Sequence, residues 1–220
     1  MSTTFFPDIV TLGIDEAGRG PVLGPMVMAG VALRTRRAAA LSRAGVADSK
    51  AFGAGEDAHK KRCELAVRIR ECAESFVVRV ISVETIDSRV RQNQLNHLER
   101  EVATEIIKSS VAAKRIVADG EILFSALASD FPHLEARNKG EDHHVAVAAA
   151  SILAKVERDD HFFTIARRYE PEFGPISGGG YDNAATRRFL EKYVAAYGCL
   201  PPEARKSWGG AAARLQMQLF

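Results

Sequence analysis

Asp15 and Glu16 stand side by side at the end of an apolar run, Ile9-Val10-Thr11-Leu12-Gly13-Ile14, and Gly18-Arg19-Gly20-Pro21 follows at once. The run reads as a buried strand. Burying paired acids at its end is costly unless a cation or a proton compensates them. Glycines let a backbone or ligand approach closely, and the forked guanidinium of Arg19 suits a phosphate. Acids for metal, glycines for approach and an arginine for phosphate together point to phosphodiester chemistry. The bland alternative is a strand-to-helix turn with solvated acids, and the glycine-arginine-glycine loop weighs against it. Asp119 repeats the setting: it ends the short strand Arg115-Ile116-Val117-Ala118 and precedes Gly120. Ligands of open α/β sheets gather at the carboxyl ends of strands, which makes Asp119 a second metal-ligand candidate, although Asp-Gly is also a common turn.

Other residues could hold a substrate. Ser151, Lys155 and Asp159 recur every fourth position of one helix and share a face, so the serine and the lysine can hold a backbone phosphate. A Lys-Asp surface pair is the plain alternative. Asp48-Ser49-Lys50 offers another phosphate-binding lysine. Tyr181, after Ser177-Gly178-Gly179-Gly180, can stack on a sugar or base, or pack the glycine-rich segment against the body. Lys139-Gly140-Glu141-Asp142-His143-His144 precedes a helix, where acids also serve as caps. His143 and His144 lack further ligands at zinc spacing, so zinc is discounted.

These residues need a scaffold. The strand-like runs are Ile9 to Ile14, Met26 to Leu33 and Phe76 to Ser82, with shorter ones at Arg115 to Ala118 and about Leu134 to Arg137. Helical patterns cover about Glu56 to Cys72, Leu95 to Ser109, Val145 to Tyr169 and Ala184 to Tyr197, the second with Leu95, Leu98, Val102 and Ile106 on one stripe. The alternation followed by a helix-only tail predicts an α/β fold, a mixed sheet flanked by helices with a C-terminal helical extension. A boundary is expected at the glycine-rich hinge, giving a core over 1–173 and an extension over 174–220.

With 220 residues, 46% hydrophobic and 26% charged, the chain suits one globular domain with an ample core. Its net charge of +2 excludes a polycation, so nucleic-acid affinity must come from local patches such as Arg34-Thr35-Arg36-Arg37. Three cysteines without Cys-x-x-Cys spacing suit a reducing compartment. Met1-Ser2-Thr3-Thr4 does not open a signal peptide, and no apolar run approaches the roughly 18 residues of a membrane span. A cytoplasmic monomer without membrane association is expected.

Together the motifs resemble type 2 ribonuclease H, the ribonuclease HII family. Its opening Asp-Glu-Ala-Gly-Arg-Gly-Pro-x-x-Gly-Pro is met at every fixed position from Asp15 to Pro25. Asp48 to Lys50, Leu95-Asn96, the helix Ala149 to Asp159, and Gly180-Tyr181 match further family motifs. Leu200-Pro201-Pro202 with Arg205 and Ser207-Trp208 resembles the tail of archaeal-like members. The resemblance spans about Gly13 to Trp208. It implies a ribonuclease H-like fold and a metal-dependent endoribonuclease. That enzyme would cleave the RNA strand of RNA/DNA hybrids, nick 5′ of ribonucleotides embedded in duplex DNA, and leave 5′-phosphate and 3′-hydroxyl ends. It further implies Asp15, Glu16, Asp119 and Glu141 as catalytic ligands of two Mg2+ or Mn2+ ions. Gly18, Arg19 and Gly20 would read the 2′-hydroxyl, Tyr181 would stack near the ribose, and Lys50, Ser151 and Lys155 would position phosphates.

One departure stands out. Counting back from Ser151 to the position where most members have aspartate lands on Glu141, which resembles the acid set of the sister ribonuclease HIII family; Asp142 next door is the alternative ligand. A HIII-like hybrid nuclease with poor single-ribonucleotide activity is therefore the competing enzyme, and a non-catalytic nucleic-acid-binding module the competing class. Finally, Gln216-Met217-Gln218-Leu219-Phe220 resembles the bacterial sliding-clamp-binding pentapeptide. The alternative is that Leu215, Leu219 and Phe220 finish an amphipathic helix packed on the body.

Overall fold

The computed structural model of the chain describes residues 7–46, 52–53, 55–140 and 144–218. Its centre is a mixed five-stranded sheet in the order β3-β2-β1-β4-β5, with β1 at Val10–Ala17, β2 at Met26–Arg34, β3 at Ser75–Ile81, β4 at Arg115–Asp119 and β5 at Leu134–Arg137. β1 runs parallel to β4, Thr11 opposite Arg115 and Ile14 opposite Ala118, and β4 runs parallel to β5. Every residue of β2 from Met26 to Leu33 is buried, as is Leu12 to Asp15 in β1. Such unbroken runs belong to strands covered on both faces, so alternation is absent from their sequences.

The helices are α1 (Thr35–Arg43), α2 (Glu56–Cys72), α3 (Val83–Arg91), α4 (Leu95–Ser109), α5 (Glu121–Phe124), α6 (Val145–Phe173), α7 (Ala184–Tyr197) and α8 (Ala211–Gln218). The expected bounds of α2, α4 and α7 are met. α1 and α3 were not anticipated; each has only nine residues and buries one or two side chains. Ser82, read as the end of a strand, instead caps α3 by accepting from the Thr85 N–H at 3.2 Å. α6 runs four residues beyond its expected end, through Pro171. Phe173 is held there by rings of Tyr193, Phe189 and Tyr169 with centroids 5.5, 5.7 and 6.3 Å away, a tertiary reason that local sequence does not carry.

The chain forms two discontinuous units. As far as they are described, the first draws on Met1–Glu16, Met28–Arg79 and Glu99–Val156, the second on Ala17–Val27, Val80–Leu98 and Glu157–Phe220. Residues 157–173 and two earlier segments group with the tail. The second unit has its own core, built around Leu23, Phe162, Phe173, Phe189, Leu190 and Leu200, against which Leu215 of α8 packs.

In the first unit two glycines are required by close approach. A Cβ on Gly13 would lie 2.1 Å from the backbone carbon of Ala146 and 2.2 Å from the Val147 nitrogen; a Cβ on Gly30 would lie 2.3 Å from Cγ2 of Ile106. The alanine run at the start of α6 completes the first of these contacts. Gly13→Ala should destabilise the protein by about 3 kcal/mol or more, since backbone cannot yield as a side chain can. Gly209→Ala, with nothing within 4 Å, should leave the urea midpoint near that of the parent.

Candidate active site

The contact at Gly13 sets where α6 lies along β1. Two residues on from Gly13 the strand has advanced roughly 6.6 Å, and five residues on from Ala146 the helix has advanced roughly 7.5 Å. These steps bring Ser151 to Asp15, whose carboxylate accepts its hydroxyl. A second bond comes from the chain itself: the Glu16 N–H donates to Oδ1 of Asp15 at 2.8 Å.

Asp15 is only 6% exposed. Burial holds its carboxyl well above the ordinary carboxylate range; the neighbouring charges of Glu16 and Asp119 push the same way, while the bonds from Ser151 and Glu16 pull it back in part. Asp119 belongs beside it by register. Ile14 pairs with Ala118 across parallel strands, and the next residue of each strand is an acid. Oδ1 of Asp119 accepts the Gly140 N–H at 2.9 Å.

Three carboxylates thus converge by charge at the carboxyl ends of β1 and β4. Among the described residues, no three His, Cys, Asp or Glu side chains are gathered as a finished metal site. The donor chemistry nevertheless fits hard divalent cations. A desolvated carboxylate repelled by two others is the arrangement that a cation relieves, and oxygen-only donors suit Mg2+ or Mn2+. Glu141, Asp142 and Lys50 lie outside the described residues. Ser151, expected at a phosphate, is given to Asp15 here, and Lys155 follows it one helical turn on.

The glycine-arginine loop belongs to the second unit and is held there from several sides. Gly18 has φ +84, and a Cβ on it would meet Cγ of Arg158 at 2.9 Å and the Pro25 carbonyl at 3.0 Å. Only glycine suits it on both counts. A Cβ on Gly20 would lie 3.2 Å from the ring of Tyr181, so the tyrosine covers that glycine while staying 52% exposed. Tyr181 is fixed by its neighbours: the Gly180 carbonyl accepts the Val22 and Leu23 N–H groups at 2.9 and 3.2 Å, and Arg158 donates to the Gly179 carbonyl. The guanidinium of Arg19 donates to Oδ1 of Asn96 at 2.7 Å on the surface. Tyr181 therefore both packs against the loop and shows an open face, so the two alternatives weighed for it are not exclusive.

Sequence reasoning gave no role to Arg158, Asp87 or Arg205. Arg205 is fully buried and donates to three carbonyls, those of Gly24, Arg19 and Gly18, at 2.9, 2.9 and 2.6 Å. Burial, and then the charge of Arg158, bring its pKa down to about 10. Asp87 accepts the N–H groups of Lys206 and Ser207 at 2.9 and 3.0 Å. The one available signal was a lone arginine between Pro201-Pro202 and Ser207-Trp208.

A family model described as Ribonuclease HII matches residues 12–210. The chain belongs to the ribonuclease HII family. It is thus an enzyme, a type 2 ribonuclease H, from a family of endonucleases that cleave RNA in RNA/DNA hybrids. A ribonuclease HII from Thermococcus sibiricus is 35% identical over 205 residues, covering 89% of this chain and 87% of the relative. The crystal structure of ribonuclease H2 from Pyrococcus horikoshii superposes with a TM-score of 0.83 at 28% identity, covering 96% of this chain and 99% of that one. A ribonuclease HII from Archaeoglobus fulgidus, solved in complex with PCNA, gives 0.76 at 32% identity over 91% and 96% of the two chains. The fold read from the sequence is the fold of these structures. Among the described residues no helix is long and apolar enough to cross a membrane.

The electrostatics of Asp15 yield a stability prediction. Its carboxyl is raised in the folded protein, so folding is most favoured by this group when it is protonated, and that contribution is lost as pH rises through the raised value. In chelator at pH 7–8, Asp15→Asn should therefore melt at a higher temperature than the parent. The gain should shrink as the pH falls toward the ordinary carboxylate range, where the parent's Asp15 is itself neutral.

Proposed function

We propose that this chain is a metal-dependent endoribonuclease that cuts the RNA strand of RNA/DNA hybrids and also nicks 5′ of single ribonucleotides embedded in duplex DNA. The products carry a 5′-phosphate and a 3′-hydroxyl. The observation that carries the reading is the buried Asp15 carboxylate with the charges of Glu16 and Asp119 beside it. A nucleic-acid surface gains nothing from clustered anions unless cations accompany them, which argues against a non-catalytic binding module.

Asp15, Glu16, Asp119 and Glu141 would hold two Mg2+ or Mn2+ ions, which supply an acidified water and neutralise charge on the leaving 3′ oxygen. Ser151 keeps the Asp15 carboxylate turned by its hydroxyl, and the Gly140 N–H does the same for Asp119. That Gly140 lies against Asp119 supports its chain neighbour Glu141, rather than Asp142, as the fourth ligand. Gly18, Arg19 and Gly20 read the 2′-hydroxyl, which distinguishes ribose from deoxyribose. Tyr181 stacks near that sugar with its open face. Lys50 and Lys155 position phosphates, and Ser151 joins them when its bond to Asp15 is released.

Nicking of a duplex containing one ribonucleotide, compared with cleavage of a continuous hybrid, tests the function. Activity on both, abolished by chelator, is expected; a HIII-like enzyme would cut the hybrid and leave the single ribonucleotide almost untouched. Asp15→Asn should lower the rate roughly 10²- to 10⁴-fold or more. Glu141→Gln should cripple the enzyme, while Asp142→Asn costs little. The reverse pattern would assign the fourth position to Asp142.

A sliding clamp is the proposed partner, through Gln216–Phe220, with the enzyme a cytoplasmic monomer. Arg214 of α8 lies 3.6 Å from Asp182, and Leu215 packs on the body, whereas Met217 is 72% exposed. Leu219 and Phe220 lie outside the described residues. Removing residues 216–220 should abolish binding to a bacterial clamp, on the order of micromolar in the intact chain, without changing nuclease activity. Unfolding on truncation would mean that the segment serves packing alone.

A further inference from the structure

We infer that Arg205, supported by Asp87 and Trp208, is a positioning residue that sets the Gly18–Gly20 loop in the conformation required to tell ribose from deoxyribose. The inference rests on the reading of that loop given above.

Side chains of residues 205–208 occupy four carbonyls of the segment 18–24, and the Arg205 N–H takes a fifth, that of Val22, at 2.9 Å. Arg205 takes those of Gly18, Arg19 and Gly24, and the indole N–H of Trp208 takes that of Gly20 at 3.3 Å. In a trans peptide the N–H points opposite to the C=O. Fixing the Gly18 carbonyl on the guanidinium therefore turns the Arg19 N–H to the far side, and fixing the Arg19 carbonyl turns the Gly20 N–H the same way. Consecutive N–H groups aimed in one direction make a concavity suited to an oxygen atom. Pro21 has no N–H, so the donor pair ends there. The Tyr181 ring lies beside Gly20.

The choice of arginine matters because it is an expensive one. A fully buried guanidinium is desolvated, and an apolar side chain of similar volume would pack at less cost. The three hydrogen bonds of the Arg205 guanidinium all go to carbonyl oxygens, and the charge of Asp87 adds to their compensation. A planar fork of donors can hold neighbouring peptide groups in fixed relative orientation, which neither lysine nor methionine can do. Asp87 completes the device from the other side. It is 5% exposed, accepts the Lys206 and Ser207 N–H groups, and accepts the Ser207 hydroxyl at 2.5 Å, so the backbone carrying Arg205 is itself anchored. The guanidinium also lies 5.6 Å from the Trp208 ring centre, joining the two donors in one stack.

The test compares kcat/KM on a duplex with one ribonucleotide against the same duplex carrying 2′-fluoro-deoxyribose at that position, for the parent, Arg205→Met, Arg205→Lys and Trp208→Phe. Thermal melting and duplex-DNA binding are measured for each. Arg205→Met should lower the ribo-to-fluoro ratio roughly tenfold or more, because the loop no longer presents its donors to the hydroxyl. Arg205→Lys should restore little of that ratio, since one ammonium cannot hold both peptides. Trp208→Phe removes a single hydrogen bond and should lower the ratio roughly fivefold while the chain folds normally. It therefore carries the test if Arg205→Met fails to fold. A role confined to stability would lower activity on both duplexes alike and leave the ratio at the parent value; folded variants with an unchanged ratio overturn the inference. A parent enzyme that does not distinguish the two duplexes overturns the reading of the loop itself, a failure visible before any variant is made.

Discussion

A methyl group at residue 13 would fall inside the backbone of α6, and much of the first unit follows from that closeness. Because Gly13 has no Cβ, and because Ala146 to Ala150 present small side chains, the helix seats directly on the central strand. The seat fixes how far along β1 each later helical residue lies, and so delivers the Ser151 hydroxyl to Asp15 rather than to solvent. The parallel pairing of β1 with β4 then adds Asp119, since equal register carries both acids to the same end of the sheet. A backbone contact between two small residues thus governs the placement of charge several ångströms away.

The two units treat buried charge in opposite ways. Asp15 is desolvated with negative neighbours and is only partly compensated by two hydrogen bonds, an arrangement that favours binding a proton or a cation. Arg205 is desolvated too, yet its donors are committed to carbonyl oxygens of the loop it supports. Unresolved charge belongs where chemistry needs an affinity; resolved charge belongs where a conformation must be held. Folding stability is sacrificed at Asp15 and shape is secured at Arg205.

The position of Asp15, Glu16 and Asp119 at the ends of β1 and β4 was legible because its signal is local, acids closing an apolar run. The bounds of α2, α4 and α7 were legible because each is a helix of fourteen residues or more. α1 and α3 escaped because each is a run of only nine residues with one or two buried side chains. The extra turns of α6 escaped because the aromatic partners of Phe173 that hold it helical beyond Pro171 include Phe189 and Tyr193, many residues later in the chain.

By itself the sequence determined the order of the strands and the longer helices, the acids at the strand ends and the glycines beside them, since propensity, burial pattern and backbone freedom are properties of neighbouring residues. Only the tertiary structure decided that Ser151 serves Asp15, that residues 157–173 group with the tail, and that Arg205 and Asp87 hold a loop formed near the start of the chain. The bonds of Asp87 and Arg205 join residues separated by 119 to 187 positions. A guanidinium finds its carbonyls through the packing of a whole unit, and no local pattern encodes which carbonyls they are.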